Sequence, residues 1–431
     1  MKALVFERNL ARFAAARLVS SLGSGRSAGI GPLRLADTDP PELPGPGWHP
    51  VRPILSGICG SDLTTLNGRS SRYFEDLVSF PFVPGHEVVG VVETHATSAE
   101  GVALEPGTRV VIEPVLGCTA RGIDPPCGAC AAGDTGNCEH VAHGHLRPGL
   151  QTGFCADTGG GWSAAGLVAH QSQLHAVPGS LSDEDAVTVE PVACAVHAVL
   201  HAGLREGDMV AVIGAGTVGL TVTGALAHLA RTGRCPEPSA LLVAARHPHQ
   251  QRTASELGAT SALPTRQLAR LVRRRSRSLA VGSPNLGGRQ LTGGADVVFD
   301  CVGSAESLQE ALSVVRPRGR VVLVGMPGRF HLDLASLWHR EVSLTGAYAY
   351  GSERVAGEPS PVRTFDLAME VAGALGTGRL VSATYPLERF EEALAHAGAA
   401  GSRGAVKIAF DLRDLRRDLR RDRNPSKGST S

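Results

Sequence analysis

Residues 210–219, VAVIGAGTVG, restrict the possible folds more than any other stretch of this chain. A run of strand-forming apolar residues leads directly into a G-x-G-x-x-G turn, and the following TVTGALAHLA has the composition of a helix. In such a unit Gly214 permits the tight turn, Gly216 lets the backbone approach a pyrophosphate, and Gly219 lets the helix pack closely on the strand. Thr217 and Val218 open the helix, whose first N–H groups face the anion. A dinucleotide is therefore the expected cofactor, held by Gly214, Gly216, Thr217, Val218 and Gly219.

The texture on either side extends this reading. After Pro191, apolar segments (MVAVIG, LLVAA, DVVFDCVG, RVVLVG) alternate with Ala- and Leu-rich stretches. Strands apolar on both faces belong to a parallel sheet covered by helices. Before Pro191 the β-branched runs VVGVVE and TRVVIE are short and bounded by Gly or Pro, as in a strongly bent sheet. Residues 18–50 read as loop with one short strand, PLRLAD. From about Ala347 the parallel signature ends, and a helix-like EEALAHA and a strand-like AVKIAF close the chain. The expected class is α/β: a β-rich catalytic domain over 1–192, a doubly wound domain over 193–347, a return to the first domain over 348–412, and a charged, disordered tail over 413–431.

Composition narrows the partner. The 431 residues contain 42 Lys plus Arg against 41 Asp plus Glu, so no net field favours nucleic acid or an anionic membrane. No apolar run approaches the roughly 20 residues of a membrane helix, and Glu7, Arg8 and Arg12 interrupt the start where a signal peptide would be apolar. The expectation is a cytoplasmic protein acting on a small molecule.

Of the nine cysteines, four have the spacing C-x8-C-x2-C-x7-C: Cys118, Cys127, Cys130 and Cys138. In a cytosolic-looking chain this favours metal over disulfides, and four thiolates close a tetrahedral zinc site that staples a loop. The wide first interval makes Cys118 the weakest member. A second, dispersed set comprises Cys59 in GICGSD, His86 and Glu87 in PGHEVVG, and Glu190 in VEPVACAVH. Taken singly, each has an ordinary structural explanation. Together they offer sulfur, imidazole nitrogen and carboxylate oxygen, a mixed set that suits zinc with a position left open. Asp62 is placed to accept the other ring N–H of His86 and fix its tautomer.

The motifs GICGSD, PFVPGHEVVG, the four-cysteine loop, EPVACAVHA, VAVIGAGTVG and GRVVLVG follow one another in an order and spacing that resembles the zinc-dependent medium-chain dehydrogenases, above all their sorbitol/threonine dehydrogenase branch. The likeness covers nearly the whole chain. It implies a GroES-like β domain, a Rossmann domain and a C-terminal return. It also implies a catalytic zinc on Cys59 and His86, with Glu87 and Glu190 as exchanging ligands, a structural zinc on the cysteine loop, and Lys407 as the basic group that meets the pyrophosphate. A homodimer or homotetramer is expected. The sequence departs from the family pattern in a long segment before GICGSD, a displaced first loop cysteine, insertions at TGRCPEPS and RRRSRSLAVGSPNLGG, and Thr64 where many relatives have a histidine five residues after the first ligand cysteine.

By this likeness the activity is hydride transfer between a secondary alcohol or polyol, or its carbonyl, and NAD(P). Zinc would act as Lewis acid and Ser61 would receive the hydroxyl proton. At the end of LLVAA, where an NAD site usually has an acid, stand Ala245 and Arg246, which favours NADP over NAD. A zinc-free quinone or enoyl reductase on the same fold, and a non-catalytic dinucleotide-binding regulator, are the competing readings. The mixed ligand set argues against both.

Overall fold

A computed structural model of the chain describes residues 1–20, 29–282 and 290–413. The charged tail expected from residue 413 lies, from 414 onward, outside the described residues, as does part of the basic insertion.

Six parallel strands form the central sheet in the order Ser261–Leu263, Ala240–Ala244, Met209–Ile213, Ala295–Asp300, Val315–Leu323, Ser343–Gly346. Numbered along the chain this is 3-2-1-4-5-6, the doubly wound dinucleotide-binding order. Val210, Ala211 and Val212 are all fully buried, which is why an uninterrupted apolar run is needed there. The order reverses beside Met209–Ile213, and the Gly214 turn opens at that carboxyl edge.

The second sheet is built on the long strand Trp48–Gly57. It runs Val381–Tyr385, Lys407–Asp411, Trp48–Gly57, Val88–Val92, Arg109–Ile112, Leu174–Ala176, with Leu167–His170 also pairing to Trp48–Gly57. Lys407–Asp411 joins Trp48–Gly57 antiparallel, with Ala409 opposite Gly57 and Phe410 opposite Ser56. The end of the chain is thereby carried back beside Cys59.

Two local expectations change. The N-terminal helix Leu10–Ser20 reaches into the stretch read as loop, while Leu33–Asp37 is the expected short strand and pairs with Lys2–Phe6. Parallel pairing also persists beyond Ala347, because Val381–Tyr385 and Lys407–Asp411 are parallel, joined through the helix Phe390–Gly398. One such crossover pair is too short to leave a periodic signature. Among the described residues no helix is long and apolar enough to cross a membrane.

Candidate metal centre and dinucleotide site

Cys59 precedes the helix Gly60–Leu66 as its N-cap, in extended backbone at φ −86° and ψ 157°. Its N–H donates to Asp62 Oδ2 at 2.9 Å, so the acid one turn along fixes the cysteine. The other oxygen of Asp62 lies 3.5 Å from His86 Nδ1. Asp62 thus faces His86 Nδ1, although the two atoms are not aligned as a hydrogen bond. Burial would lower the His86 pKa, but the Asp62 carboxylate outweighs it and holds the ring well above its ordinary value.

Ligand atoms of Cys59, His86 and Glu87 all lie within 4.8 Å of one another, with His86 and Glu87 buried. A thiol, an imidazole and a carboxylate converging in a buried space are costly unless they share a cation. Sulfur, nitrogen and oxygen donors at this separation fit zinc.

Glu190 sits in the first turn of the helix Val189–His201, outside that trio. Its Oε1 accepts a hydrogen bond from the Tyr350 hydroxyl at 2.9 Å. Burial raises its pKa, and His86 and Glu87 are close enough for their charges to act on it.

Lys407, which the resemblance places at the pyrophosphate, has a partner at the metal centre. Its side chain is 2% exposed and its ammonium forms an ion pair with Glu87, with a further hydrogen bond to the Ile58 carbonyl at 3.3 Å. The neighbouring Val406, by its carbonyl, meets the Thr217 hydroxyl at 3.5 Å. The backbone of this strand thus reaches the dinucleotide turn while the lysine side chain is committed to the metal centre. Burial would depress the ammonium pKa, yet Glu87 outweighs it and the value is raised. Gly57 makes the pair possible, since a Cβ there would overlap Glu87 Oε2. Nothing in the sequence marked Gly57 or the Glu87–Lys407 pair, because their contact depends on the C-terminal strand returning in this register.

Ser61 is half-buried in the first turn after Cys59. Thr64, at the position of the missing histidine, donates its hydroxyl to the Gly60 carbonyl at 2.9 Å and so serves the helix.

All four loop cysteines converge, with their sulfurs within 4.8 Å. Cys118 Sγ and Cys138 Sγ are 3.7 Å apart, close to the edge of about 3.8 Å for a tetrahedron with Zn–S of about 2.3 Å. Cys118 is thus a full member despite the wide interval. Backbone N–H groups point at the sulfurs, among them Cys127 N to Cys118 at 3.3 Å and Glu139 N to Cys127 at 3.4 Å. These donors favour thiolates; burial raises the Cys127 thiol, but the N–H bonds to it prevail and bring it down to about 7. His140 Nδ1, 3.4 Å from Cys118 Sγ, is an unforeseen neighbour.

At the dinucleotide turn Gly214 has φ +93°, Gly216 has nothing within 4 Å of a would-be Cβ, and a Cβ on Gly219 would strike the Gly214 carbonyl at 1.9 Å. These are a forced turn, an open approach and a tight helix contact. The helix Thr217–Arg231 begins there, with Gly216 as N-cap. Ala245 is fully buried and Arg246 is exposed beside it. Asp300, not singled out in the sequence, accepts from the N–H groups of Val302 and Gly303 at 3.0 and 3.1 Å and shapes the opposite lip of the crevice.

Residues 45–179 match the alcohol dehydrogenase GroES-like domain, and residues 239–358 match the zinc-binding dehydrogenase family. A sorbitol dehydrogenase from Bacillus subtilis is 27% identical over 308 residues, covering 70% of this chain and 75% of the relative. A probable D-xylulose reductase A from Aspergillus fumigatus is 27% identical over 330 residues, covering 75% and 81%. Among solved structures, an alcohol dehydrogenase from Thermus sp. ATN1 superposes with a TM-score of 0.63 at 26% identity, covering 95% of this chain and 99% of that one.

Proposed function

Since the chain belongs to the zinc-dependent medium-chain dehydrogenases and is an NAD(P)-dependent oxidoreductase, we propose that it oxidises a secondary hydroxyl of a polyol, with NADP preferred, at a centre held by Cys59, His86 and Glu87. The observation that carries this reading is the buried convergence of those three side chains within 4.8 Å. The polyol assignment is supported by the sorbitol dehydrogenase and D-xylulose reductase relatives.

When bound, zinc supplies a Lewis acid for the substrate oxygen and the nicotinamide supplies the hydride acceptor. Asp62, facing His86 Nδ1, favours the tautomer that offers Nε2. Lys407 pairs with Glu87, and Tyr350 holds Glu190 as a second carboxylate within reach of the same charges. Ser61 takes the substrate's hydroxyl proton on Oγ and hands it toward solvent. The second zinc belongs to Cys118, Cys127, Cys130 and Cys138 and closes their loop. The domain limits at 347 and 412 are supported by the two sheets and by the antiparallel return onto Trp48–Gly57, while 192 falls within the helix Val189–His201 that links them.

Metal analysis with a substrate screen tests the reading. Two zinc in the thiolate-containing sites, and NADP reduction with sorbitol, xylitol or related polyols, are expected. A chain that loses only the loop zinc on Cys130→Ser and has no metal-dependent turnover would favour the zinc-free reductase.

A further inference from the structure

A third group of ligand-type side chains shares no residue with the two thiolate sites. His175 in the strand Leu174–Ala176, Glu100 in the turn before Ala103–Leu104, and Asp366 in the first turn of the helix Thr364–Leu375 bring their ligand atoms within 4.8 Å of one another. The His175 ring is fully buried, flanked by Phe365 at a centroid distance of 5.1 Å. Its Nε2 is 3.0 Å from Glu113 Oε2, which also accepts from Arg363 Nε at 2.9 Å. Its Nδ1 lies 2.7 Å from Glu100 and 3.5 Å from Asp366, yet has no aligned hydrogen-bond partner.

We propose that Nδ1 of His175 and the carboxylates of Glu100 and Asp366 bind a divalent first-row cation. Glu113 on the far nitrogen fixes the tautomer that directs the Nδ1 lone pair inward, the carboxylate–histidine–metal arrangement of metal sites. Charge supports it: among the described residues three carboxylates (Glu100, Glu113, Asp366) gather around His175 with Arg363 paired to Glu113, and a dication brings these groups to neutrality with His175 unprotonated. Glu100 and Asp366 are 36% and 38% exposed, which leaves a path for the ion and positions for water. One imidazole and two carboxylates with water admit Mn2+ as well as Zn2+, whereas the thiolate sites hold zinc far more strongly. The ion would clasp the Thr364–Leu375 helix to the β-rich sheet, a structural role separate from the hydride-transfer chemistry.

Mn2+ titration of the zinc-loaded protein, followed by the electron paramagnetic resonance of free Mn2+, isolates this site from the other two and needs no turnover. Wild type should take up one Mn2+ per chain. Glu100→Gln and Asp366→Asn, both isosteric and half exposed, should each weaken it tenfold or more, while Glu105→Gln leaves it unchanged. Absence of uptake at millimolar Mn2+, or equal uptake by wild type and both amide variants, would overturn the proposal and leave an imidazolium held by carboxylates.

Discussion

Tyr350 donates its hydroxyl to Glu190 across 2.9 Å, and the Tyr350 carbonyl accepts from the Thr135 hydroxyl of the cysteine loop at 3.3 Å. One residue thus joins the loop to Glu190, the second carboxylate beside the proposed metal centre. A hydrogen bond to a charged, buried group contributes about 1.5–3 kcal/mol. Tyr350→Phe, which preserves the ring packed on Phe365, is expected to lower the melting temperature and reduce kcat/KM. In a Glu190→Gln background the same change should cost less, and a double-mutant cycle reads the difference.

Glu87 and Lys407 make a stronger demand, because both are buried and each is the other's main compensation. Removing one partner of such a pair costs about 3–5 kcal/mol. Lys407→Met should lower the denaturation midpoint and the retention of catalytic zinc, and Glu87→Gln combined with Lys407→Met should recover part of the stability. Gly57→Ala should resemble the single lysine variant, since its Cβ would occupy the space of the Glu87 carboxylate. Urea denaturation with zinc quantification checks all three.

The cysteine loop predicts a loss of a different kind. With Cys118 and Cys138 already 3.7 Å apart, the loop is shaped for a closed tetrahedron. Cys130→Ser should release one zinc and depress the melting temperature, while Cys59→Ser should abolish turnover with little effect on dinucleotide affinity. Unchanged zinc content and unchanged melting in Cys130→Ser would contradict the assignment.

The sequence announced whatever depends on local pattern. The glycine turn, four apolar strands of the parallel sheet and the clustered cysteines each carry their geometry within a short window, and Asp62 lies only three residues from Cys59; the two outer strands, Ser261–Leu263 and Ser343–Gly346, have no such apolar run. The Glu87–Lys407 pair was not legible because the partner of a buried ammonium is set by strand register between residues about 350 positions apart, which no local periodicity encodes. Gly57 and the His175 group escaped notice for the same reason. Each acts through neighbours that only the folded sheets assemble, and His175 in QSQLHAVP looks like an ordinary strand residue.

Cofactor choice is decided at the end of the second strand of the parallel sheet, where Ala245 is fully buried and Arg246 exposed. If the guanidinium grips the 2′-phosphate, Arg246→Ala removes one charge-assisted donor, worth about 1.5–3 kcal/mol or about ten- to a hundredfold in affinity. The KM for NADP should rise by that factor and the KM for NAD should change little. Ala245→Asp should also turn preference toward NAD by repelling the phosphate and offering the ribose an acceptor. Burial of Ala245 adds a consequence the sequence did not carry: the new carboxylate must be desolvated without bound NAD, so this variant should melt below wild type and regain stability as NAD is added. Arg246→Ala, on an exposed side chain, should melt as wild type does. The measurement is kcat/KM for both cofactors with one polyol, together with melting curves with and without NAD. A wild type that favours NAD, or a ratio unmoved by either substitution, would remove Arg246 from the cofactor site and leave the dehydrogenase assignment standing.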